Sequence, residues 1–309
     1  MSITIQKKYT INLMRNYKLG YINNIEKKTS KLLSLKFFSM MSKIRNFEIQ
    51  VKKAHKHNKT TPLVYLSLGQ EAVASGIFLQ MKNSYLLTQH RGHAPYIAFG
   101  GNETKLVDEL IGLKSGCCGG KGGSPMIHDI KKKIVGHCGL IGDQVPIANG
   151  IALVKKKEKI VCIFGDGAAE EDFVLAALAD AATKKLKILF ICEDNDLSVL
   201  TPTKDRRSWK LVDLVKSLGM KSIDIADNPW VINYWTSKFK HQLPALINIR
   251  TCRDTWHVGS GRDNNLEWDR YKITKRSLFN LGLDKEINKI EKIYNKWANN
   301  LWQRRLRKL

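Results

Sequence analysis

The middle of the chain alternates between short apolar runs and one helical pattern. Residues 159–164 (KIVCIF) and 187–192 (KILFIC) are almost unbroken apolar segments, as expected for strands buried on both faces. Between them the apolar residues recur at helical spacing and make one stripe, formed by Phe173, Val174, Ala177, Leu178 and Ala181. A strand, a helix and a strand of these lengths predict a βαβ unit with parallel strands and a right-handed crossover.

Helical spacing also marks the two ends of the chain. Residues 31–55 predict a long first helix, and residues 284–309 predict a second one rich in Lys and Arg. A basic amphipathic helix can lie on a membrane, but we favour packing against its own domain or a partner. We therefore divide the chain into a basic N-terminal extension (1–30), a large α/β domain with a mostly parallel sheet and helices on both faces (31–283), and a basic C-terminal helix (284–309).

The chain is strongly basic, with 52 Lys and Arg residues against 28 Asp and Glu residues and a net charge of +24. Solvated basic faces without a special partner are the first interpretation and the one we favour. Complementarity to an acidic partner subunit or carrier domain is the second. Binding to nucleic acid or to a membrane surface is the third, and it ranks last because no basic stretch is interleaved with aromatic residues.

The six cysteines and the histidines show no metal-binding spacing. No Cys-x-x-Cys is present, and Cys162 and Cys192 fall inside predicted buried strands, so free thiols in a reducing cytoplasm are the simplest interpretation. His93, His128 and His137 are not spaced as zinc ligands. No apolar run approaches the roughly 20 residues that span a bilayer, and no secretory signal is expected.

Polar side chains follow the two central strands. Asp166 lies in a Gly-Asp-Gly turn after the first strand, and Asn195 follows the second, 29 positions later. The carboxyl ends of parallel strands meet at one crevice, where ligands gather. Gly165 and Gly167 let the backbone approach a phosphate closely. One carboxylate and one amide oxygen suit Mg²⁺, which takes further ligands from water and a diphosphate.

Six segments, taken in order, resemble the alpha subunit of the thiamine-diphosphate-dependent, decarboxylating component of 2-oxoacid dehydrogenases. This family includes the pyruvate, branched-chain and acetoin enzymes, and the chain resembles a divergent branch of it. The matching segments run from about residue 33 to about residue 270, and they are YLSLGQEA (65–72), QHRGH (89–93), GGKGGSPMIH (119–128), GLIGDQVPIANG (139–150), the Gly-Asp-Gly to Asp-Asn segment (165–195) and HVGSGRD (257–263).

The resemblance implies thiamine diphosphate and Mg²⁺ as cofactors. Asp166 and Asn195 would be side-chain ligands of Mg²⁺, and the backbone carbonyl of Leu197 a third ligand. The N–H groups of Gly167 and Ala168 would lie near the diphosphate, which Arg91 would also contact, since a guanidinium suits that geometry.

Further residues enter the site through the same resemblance. Gly139 and Ile141 would lie against the aminopyrimidine, and His90, which stands where many members have Tyr, is expected beside them. His257 lies on a loop that closes over the active site in the family, and His93 corresponds to a position near the cofactor. We expect catalytic roles for these last two.

The implied reaction is oxidative decarboxylation of a pyruvate-like 2-oxo acid, with acyl transfer to a lipoyl carrier. The enzyme would be an oxidoreductase acting on an oxo group with a disulfide acceptor. A beta subunit would complete the site, in an assembly of two alpha and two beta chains, and a lipoyl acyltransferase is a further expected partner. The glycine-rich stretch at 116–123 suits contact with the cofactor or another subunit, because such loops present N–H groups.

Several residues depart from the family pattern. Asp143 replaces a small residue, Asp172 replaces a Gly, and Ala176 stands where a Glu is usual, while residues 197–202 read LSVLTP in place of Tyr-Gly-Met-Gly-Thr-Pro. Two alternatives therefore stay open. One is a transketolase-like half-enzyme that transfers two-carbon units in a sugar or polysaccharide pathway. The other is a degenerate subunit without catalytic activity.

Overall fold

A parallel sheet of six strands forms the centre of the computed structural model, which describes residues 18–261 and 268–309. The strand order is β2-β1-β3-β4-β8-β7, and each neighbouring pair is parallel. The strands are β1 (Tyr85–Leu87), β2 (Ile134–Gly136), β3 (Ile160–Gly165), β4 (Ile188–Asp194), β7 (Lys221–Ala226) and β8 (Ala245–Arg250). Two short strands, β5 (Leu197–Ser198) and β6 (Thr201–Pro202), form a separate antiparallel pair.

Helices connect the strands, and short 3₁₀ turns lie at Ile130–Lys132 and Ala168–Glu170. The α-helices are α1 (Ile25–Lys28), α2 (Lys31–Lys56), α3 (Glu71–Ile77), α4 (His93–Ala98), α5 (Glu103–Leu110), α6 (Gln144–Val154), α7 (Asp172–Thr183), α8 (Thr203–Arg206), α9 (Leu211–Ser217), α10 (Pro229–Phe239), α11 (Arg270–Phe279) and α12 (Asp284–Leu306).

The predicted βαβ unit is present as β3, α7 and β4. Its two strands pair in parallel from Ile160 opposite Ile188 to Gly165 opposite Glu193. Both strands are buried almost throughout, which explains why their sequences are continuous rather than alternating. The α/β class with a parallel sheet is therefore confirmed.

The sheet separates two apolar cores, and the side chains of β3 alternate between them. Val161 and Ile163 join the core under α2, α3 and α10, whereas Cys162 and Phe164 join the core under α6, α7 and α9. Successive strand residues point to opposite faces, so one strand anchors both layers of helices. Helices on both faces were expected and are found.

The ends of the described chain pack on this domain. Ile25 of α1 is buried, and the backbone N–H of Ala226 in β7 donates to the carbonyl of Leu19. The predicted division at residue 30 thus stays a prediction from composition, and residues 1–17 lie outside the described residues. At the other end, α12 buries Ile287 and Trp302.

The basic C-terminal helix is joined to the domain by a charged pair as well as by its apolar face. Arg305 donates two hydrogen bonds to the carboxylate of Asp108 on α5, one of them 2.6 Å long. Trp302 packs edge-on against Phe47, with ring centroids 5.8 Å apart. Within residues 18–261 and 268–309, none of the helices is both long and apolar enough to cross a membrane.

Candidate active site

A cavity opens beyond the carboxyl ends of β1, β3 and β4. Parallel strands direct the residues that follow them to one edge of the sheet, which places three chain segments around the same space. Residues 89–91 follow β1, residues 165–168 end and follow β3, and residues 195–199 follow β4. The remaining lining comes from His137, Ile141, Gly142, Gln144, Arg253 and His257.

Nine of the eleven predicted site residues line this cavity, and all eleven lie in the described part of the chain. The nine are His90, Arg91, Ile141, Asp166, Gly167, Ala168, Asn195, Leu197 and His257. The structure places His93 and Gly139 elsewhere. Of the HVGSGRD segment, Arg262 and Asp263 lie outside the described residues.

Asp166 is a buried carboxylate with an arginine partner. Nη2 of Arg206 donates to its Oδ2 over 2.5 Å, and Nη1 of Arg207 donates to its backbone carbonyl over 2.9 Å. Burial, together with the neighbouring Asp194 carboxylate, raises the pKa of Asp166 to about 7, against the opposing effect of Arg206. The carboxylate is thus costly to keep charged unless a cation lies beside it.

Asp194 ends β4 and is held away from the cavity by β8. Its Oδ2 accepts a hydrogen bond from Asn248 over 3.0 Å and pairs with Arg250 at 2.8 Å, while its Oδ1 accepts the N–H of Asp196. Asn195, the next residue along, lines the cavity instead. Asp194 therefore bonds to β8 while Asn195 faces the cavity, because adjacent residues at a strand end point in different directions.

Asn195 organises the turn that carries the third predicted ligand. Its Oδ1 accepts the N–H of Leu197 over 3.2 Å, and its Nδ2 donates to Gln70 over 3.3 Å. The hairpin beyond it contains Val199 at φ 54°, a left-handed conformation that a β-branched residue rarely adopts. The backbone carbonyl of Val199 accepts a hydrogen bond from Arg253 over 2.7 Å.

Arg91 ties two segments together beneath the cavity. Its Nη1 donates to the carbonyl of Leu66 over 2.6 Å, and its Nη2 donates to the carbonyl of His257 over 3.2 Å. The side chain is buried, so an arginine held here brings a fixed positive charge to the cavity wall. Arg91, the residue predicted to contact the diphosphate, therefore anchors the loop that carries His257.

Neutral imidazoles cluster on the same wall. The rings of His90 and His257 lie 5.0 Å apart, and Tyr65 packs edge-on against both. Burial, followed by the positive charges of Arg91 and Arg253, lowers the pKa of His257 to about 4. Burial also lowers the pKa of His90 far below its ordinary value, with Arg91 as the next cause. Both rings are uncharged at neutral pH, so each can donate a hydrogen bond from one ring nitrogen and accept one at the other.

The geometry gives no support to a catalytic role for His93. Its Nδ1 bonds to Glu48 over 2.9 Å, its Nε2 bonds to Ser124 over 2.8 Å, and its side chain is fully buried. Both nitrogens are used in joining α2 to the segment after the glycine-rich loop. Gly139 also lies outside the lining; it adopts φ 110°, and its N–H donates to Nδ1 of His137 over 3.1 Å.

The glycine-rich loop does not present its N–H groups to the cavity. The fully buried carboxylate of Glu109 accepts hydrogen bonds from four of them, those of Cys118, Gly120, Gly122 and Gly123, over 2.6 to 3.1 Å. Among the described residues that line the cavity, none comes from this loop. An internal anion therefore occupies these four N–H groups, and contact of the loop with the cofactor or another subunit stays a prediction.

Four lining or neighbouring residues were missed in the sequence. Gln89 bonds to the buried Glu193, whose pKa burial raises to about 7, and Nε2 of Gln144 donates to the carbonyl of Ile163 over 2.8 Å. Both glutamines lie inside matched segments, so position alone could have indicated them. Arg206 and Arg253 gave no comparable signal, because their partners are distant in sequence.

Three of the departures from the family pattern, Asp143, Asp172 and Ala176, do not line the cavity themselves, whereas His90 and the segment at 197–202 contribute lining residues. The carboxylate of Asp143 accepts hydrogen bonds from the backbone N–H and the thiol of Cys138, and lies 3.5 Å from Nε2 of His137. Asp172 and Ala176 are exposed on α7. Among the described residues, none of these three lines the cavity.

Comparison with known proteins matches residues 39–257 to the family model of the dehydrogenase E1 component. The chain belongs to the dehydrogenase E1 component family. Pyruvate dehydrogenase E1 component subunit alpha from Rickettsia conorii is 31% identical over 244 residues, which cover 74% of each chain. The somatic, mitochondrial form from Pan troglodytes is 32% identical over 237 residues, which cover 74% of this chain. These matches identify this E1 family member as alpha-subunit-like and divergent.

The chain spans 60% of the length of the Pan troglodytes relative. A transketolase mutant from Pichia stipitis shares the fold of this E1 family member, with a TM-score of 0.53, 14% identity, and coverage of 90% of this chain and 49% of that one. Membership of the E1 family implies thiamine diphosphate as the cofactor, as the sequence had indicated.

Proposed function

We propose that this chain is the alpha-type half of a thiamine-diphosphate- and Mg²⁺-dependent 2-oxoacid dehydrogenase. The observation that carries the proposal is the position of Asp166 and Asn195 at the same edge of the sheet. They follow adjacent parallel strands and line one cavity together with Arg91, Arg253 and His257. The named activity of the matched relatives, pyruvate dehydrogenase, supports a pyruvate-like substrate.

The residues present fit a magnesium ion. Asp166 and Asn195 offer hard oxygen ligands, and the carbonyl of Leu197 lies on the adjacent turn, a donor set that suits a small divalent cation. A buried carboxylate with a raised pKa gains most from a cation that keeps it ionised. Arg206 takes this role in the structure, so a bound ion would replace or join its guanidinium.

The same edge of the sheet fits a diphosphate. Gly165 and Gly167 line the cavity without a side chain, and an added Cβ would meet Oε1 of Gln89 at 2.9 Å and Oγ of Ser198 at 2.6 Å, so the close approach of these two side chains requires glycine. Arg91 and Arg253 supply positive charge from the opposite wall. Arg91 and Arg253 would hold the diphosphate and, together with Mg²⁺, would offset its negative charge.

Thiamine diphosphate, when bound, supplies the carbon nucleophile and electron sink needed to release CO₂ from a 2-oxo acid. This chain orients the cofactor and holds protons. His257 and His90 remain neutral because of burial, so each can donate a hydrogen bond to a developing oxyanion and accept a proton. Ile141, which is 42% exposed, offers an apolar prop at the cavity wall.

A second chain, a beta subunit, would cover this cavity in an assembly of two alpha and two beta chains. The segments that flank the cavity expose large apolar side chains, a pattern typical of an interface: Leu140 (70%), Leu200 (58%), Trp256 (53%), Val199 (48%), Ile141 (42%) and Val258 (38%). The relatives are named as subunits. Acyl transfer to the lipoyl group of an acyltransferase would then occur at the shared site.

The experiment is cofactor binding to the co-purified alpha and beta chains, measured by calorimetry with Mg²⁺ and thiamine diphosphate. We expect Asp166→Asn to weaken binding at least 100-fold and to abolish pyruvate decarboxylation. Asp172→Asn, an exposed aspartate near the same turn, is the matched control and should bind like the wild type. Equal affinity for wild type and Asp166→Asn would refute the metal assignment.

A transketolase-like half-enzyme is the second candidate, favoured by the unusual segment Leu197–Ser198 and Val199 in the cavity lining. Acceptor specificity separates the two activities. Reduction of a lipoyl domain by pyruvate supports the dehydrogenase, and two-carbon transfer to an aldose phosphate supports the alternative. The degenerate-subunit alternative rests on Asp143, Asp172 and Ala176. None of the three lines the cavity, but Asp143 lies 3.5 Å from the lining residue His137, so cofactor binding by the co-purified chains decides this alternative.

A further inference from the structure

A second group of reactive side chains lies on the glycine-rich loop, outside the cavity. Sγ of Cys118 lies 4.0 Å from Sγ of Cys117 and 3.0 Å from Nδ1 of His128. The carboxylate of Glu109 is close to both thiols, with all three ligand atoms within 4.8 Å of one another. Two sulfurs and an imidazole nitrogen in this arrangement are ligands that soft and borderline metal ions prefer.

Glu109 organises this group. Both of its carboxylate oxygens accept two backbone N–H bonds each from the loop, including the N–H of Cys118 at 2.6 Å. Gly119 and Gly120 adopt φ values of 71° and 76°, so the loop follows a path that requires glycine. The two thiols therefore stand on a backbone fixed before any ion arrives, which lowers the cost of binding one.

The distances are close to those of a metal site. A tetrahedral Zn²⁺ with sulfur ligands at about 2.3 Å and nitrogen at about 2.0 Å separates two sulfurs by roughly 3.8 Å and a sulfur from a nitrogen by roughly 3.5 Å. The separations of 4.0 Å and 3.0 Å are close to these values. The ligand atoms that lie within 4.8 Å of one another belong to Glu109, Cys117 and Cys118, so the imidazole of His128 must turn toward Cys117 to complete the site. Cys118 and Cys117 are half-buried and His128 is exposed, so an ion can reach them.

We propose that Cys117, Cys118 and His128 form a binding site for a thiophilic metal ion such as Zn²⁺, with solvent as the fourth ligand. Binding releases the thiol protons to solvent, including the one that Cys118 directs at the carbonyl of Met126 over 2.6 Å. The ion would fasten the loop to the segment carrying His128. This site is independent of the proposed function.

The test is a cadmium titration of the full, reduced and metal-stripped chain, read by the ultraviolet absorption of the cadmium–thiolate bond. We expect saturation at one Cd²⁺ per chain and displacement by Zn²⁺. Cys117→Ser and Cys118→Ser should each weaken binding at least tenfold. His128→Gln should also weaken it, and because this residue is exposed the variant keeps the fold testable.

The matched control is Cys138→Ser, which removes an exposed thiol on a different loop and should bind Cd²⁺ like the wild type. Calorimetry with Mg²⁺ and thiamine diphosphate on the same variants provides a second measurement, and cofactor affinity should not change. Absence of saturable Cd²⁺ binding would overturn the proposal. So would equal Cd²⁺ affinity in the wild type, Cys118→Ser and His128→Gln.

Discussion

Two turns rich in glycine, those at residues 165–167 and 116–123, resemble each other in sequence and differ in what they hold. Both present backbone N–H groups with little steric cover. The first lies beyond β3 and lines the cavity with Asp166. The second wraps the buried carboxylate of Glu109, which accepts four of its N–H groups. One turn is open to a ligand, and the other is closed by the protein's own anion.

The difference follows from where each turn stands in the fold. Residues 165–167 lie at the carboxyl end of a central strand, where neighbouring parallel strands leave a crevice. Residues 116–123 lie beyond α5, whose Glu109 faces the loop from within the same chain segment. A glycine-rich turn can accommodate an anion against its backbone N–H groups. The position relative to the sheet decides whether that anion is a ligand or a side chain.

The largest expected effect comes from removing the internal anion. Glu109→Ala removes a fully buried carboxylate and leaves four N–H groups without their acceptor, that of the buried Gly123 among them, so we expect the free energy of unfolding to fall by about 3 kcal/mol. Denaturant unfolding of the wild type and the variant measures this loss. Glu286→Ala, an exposed glutamate in the first turn of α12, should change stability by less than about 0.5 kcal/mol.

Glu109→Ala also tests the contrast between the turns. The folded fraction of the variant should still bind Mg²⁺ and thiamine diphosphate, because the loop does not line the cavity. If cofactor affinity falls while stability is unchanged, the loop belongs to the cofactor site and the contrast is wrong.

The sequence predicted the open turn better than the closed one. Unbroken apolar runs identified β3 and β4, and parallel topology then brought Asp166 and Asn195 to one edge. The partners of His93 and Arg206 could not be found in this way. Glu48 lies 45 positions from His93, and Asp166 lies 40 positions from Arg206. No periodicity links such pairs, because they meet only when whole elements pack.

The second expected effect concerns Arg206, the positively charged side chain that bonds to Asp166 in the open turn. Arg206 donates to the carboxylate of Asp166, so its guanidinium competes with a metal ion for the same oxygen. We expect Arg206→Gln to tighten Mg²⁺ binding in the presence of thiamine diphosphate by about tenfold, equivalent to ~1.4 kcal/mol. Titration of Mg²⁺ followed by tryptophan fluorescence measures the change.

Arg207→Gln is the control for this variant. Arg207 donates to the backbone carbonyl of Asp166 and to Glu170, whereas the side-chain carboxylate of Asp166 bonds to Arg206. Its replacement should leave the affinity for Mg²⁺ within twofold of the wild type. Weaker Mg²⁺ binding in Arg206→Gln would instead make Arg206 a direct partner of the diphosphate.

The third expected effect is a pH dependence of stability that belongs to the cavity. The pKa of His257 is about 4 in the folded chain, below the ordinary value of 6.5. Between these two values the unfolded chain binds more protons, so stability rises with pH across that window and is fully gained above it. The His257 ring therefore lowers the melting temperature on going from pH 7 to pH 5, whereas the carboxylates of Asp166 and Glu193, whose pKa values burial raises to about 7, act in the opposite direction.

His257→Gln should lose part of that fall, because glutamine does not titrate. His90 and His137, whose pKa values burial also lowers, add to the fall, and Asp166 and Glu193 oppose it. His57→Gln, at an exposed position at the end of α2, should melt with the same pH dependence as the wild type. An unchanged pH dependence in His257→Gln would mean that its ring is solvated like an ordinary surface histidine.

The smallest expected effect concerns backbone strain at Val199, which lies in the hairpin between β5 and β6, beside the open turn. Val199 lines the cavity at φ 54°, a conformation that costs a β-branched residue about 1 kcal/mol or more and a glycine almost nothing. Because the side chain is 48% exposed, little burial is lost on its removal. Relief of about 1 kcal/mol of strain should roughly offset the extra freedom of glycine in the unfolded chain, so Val199→Gly should leave the free energy of unfolding nearly unchanged. Val258→Gly, at an exposed position with ordinary φ, should lower it instead. If Val199→Gly also weakens cofactor binding, the strained residue holds the hairpin in its binding conformation, and the open turn is kept open at a cost in stability.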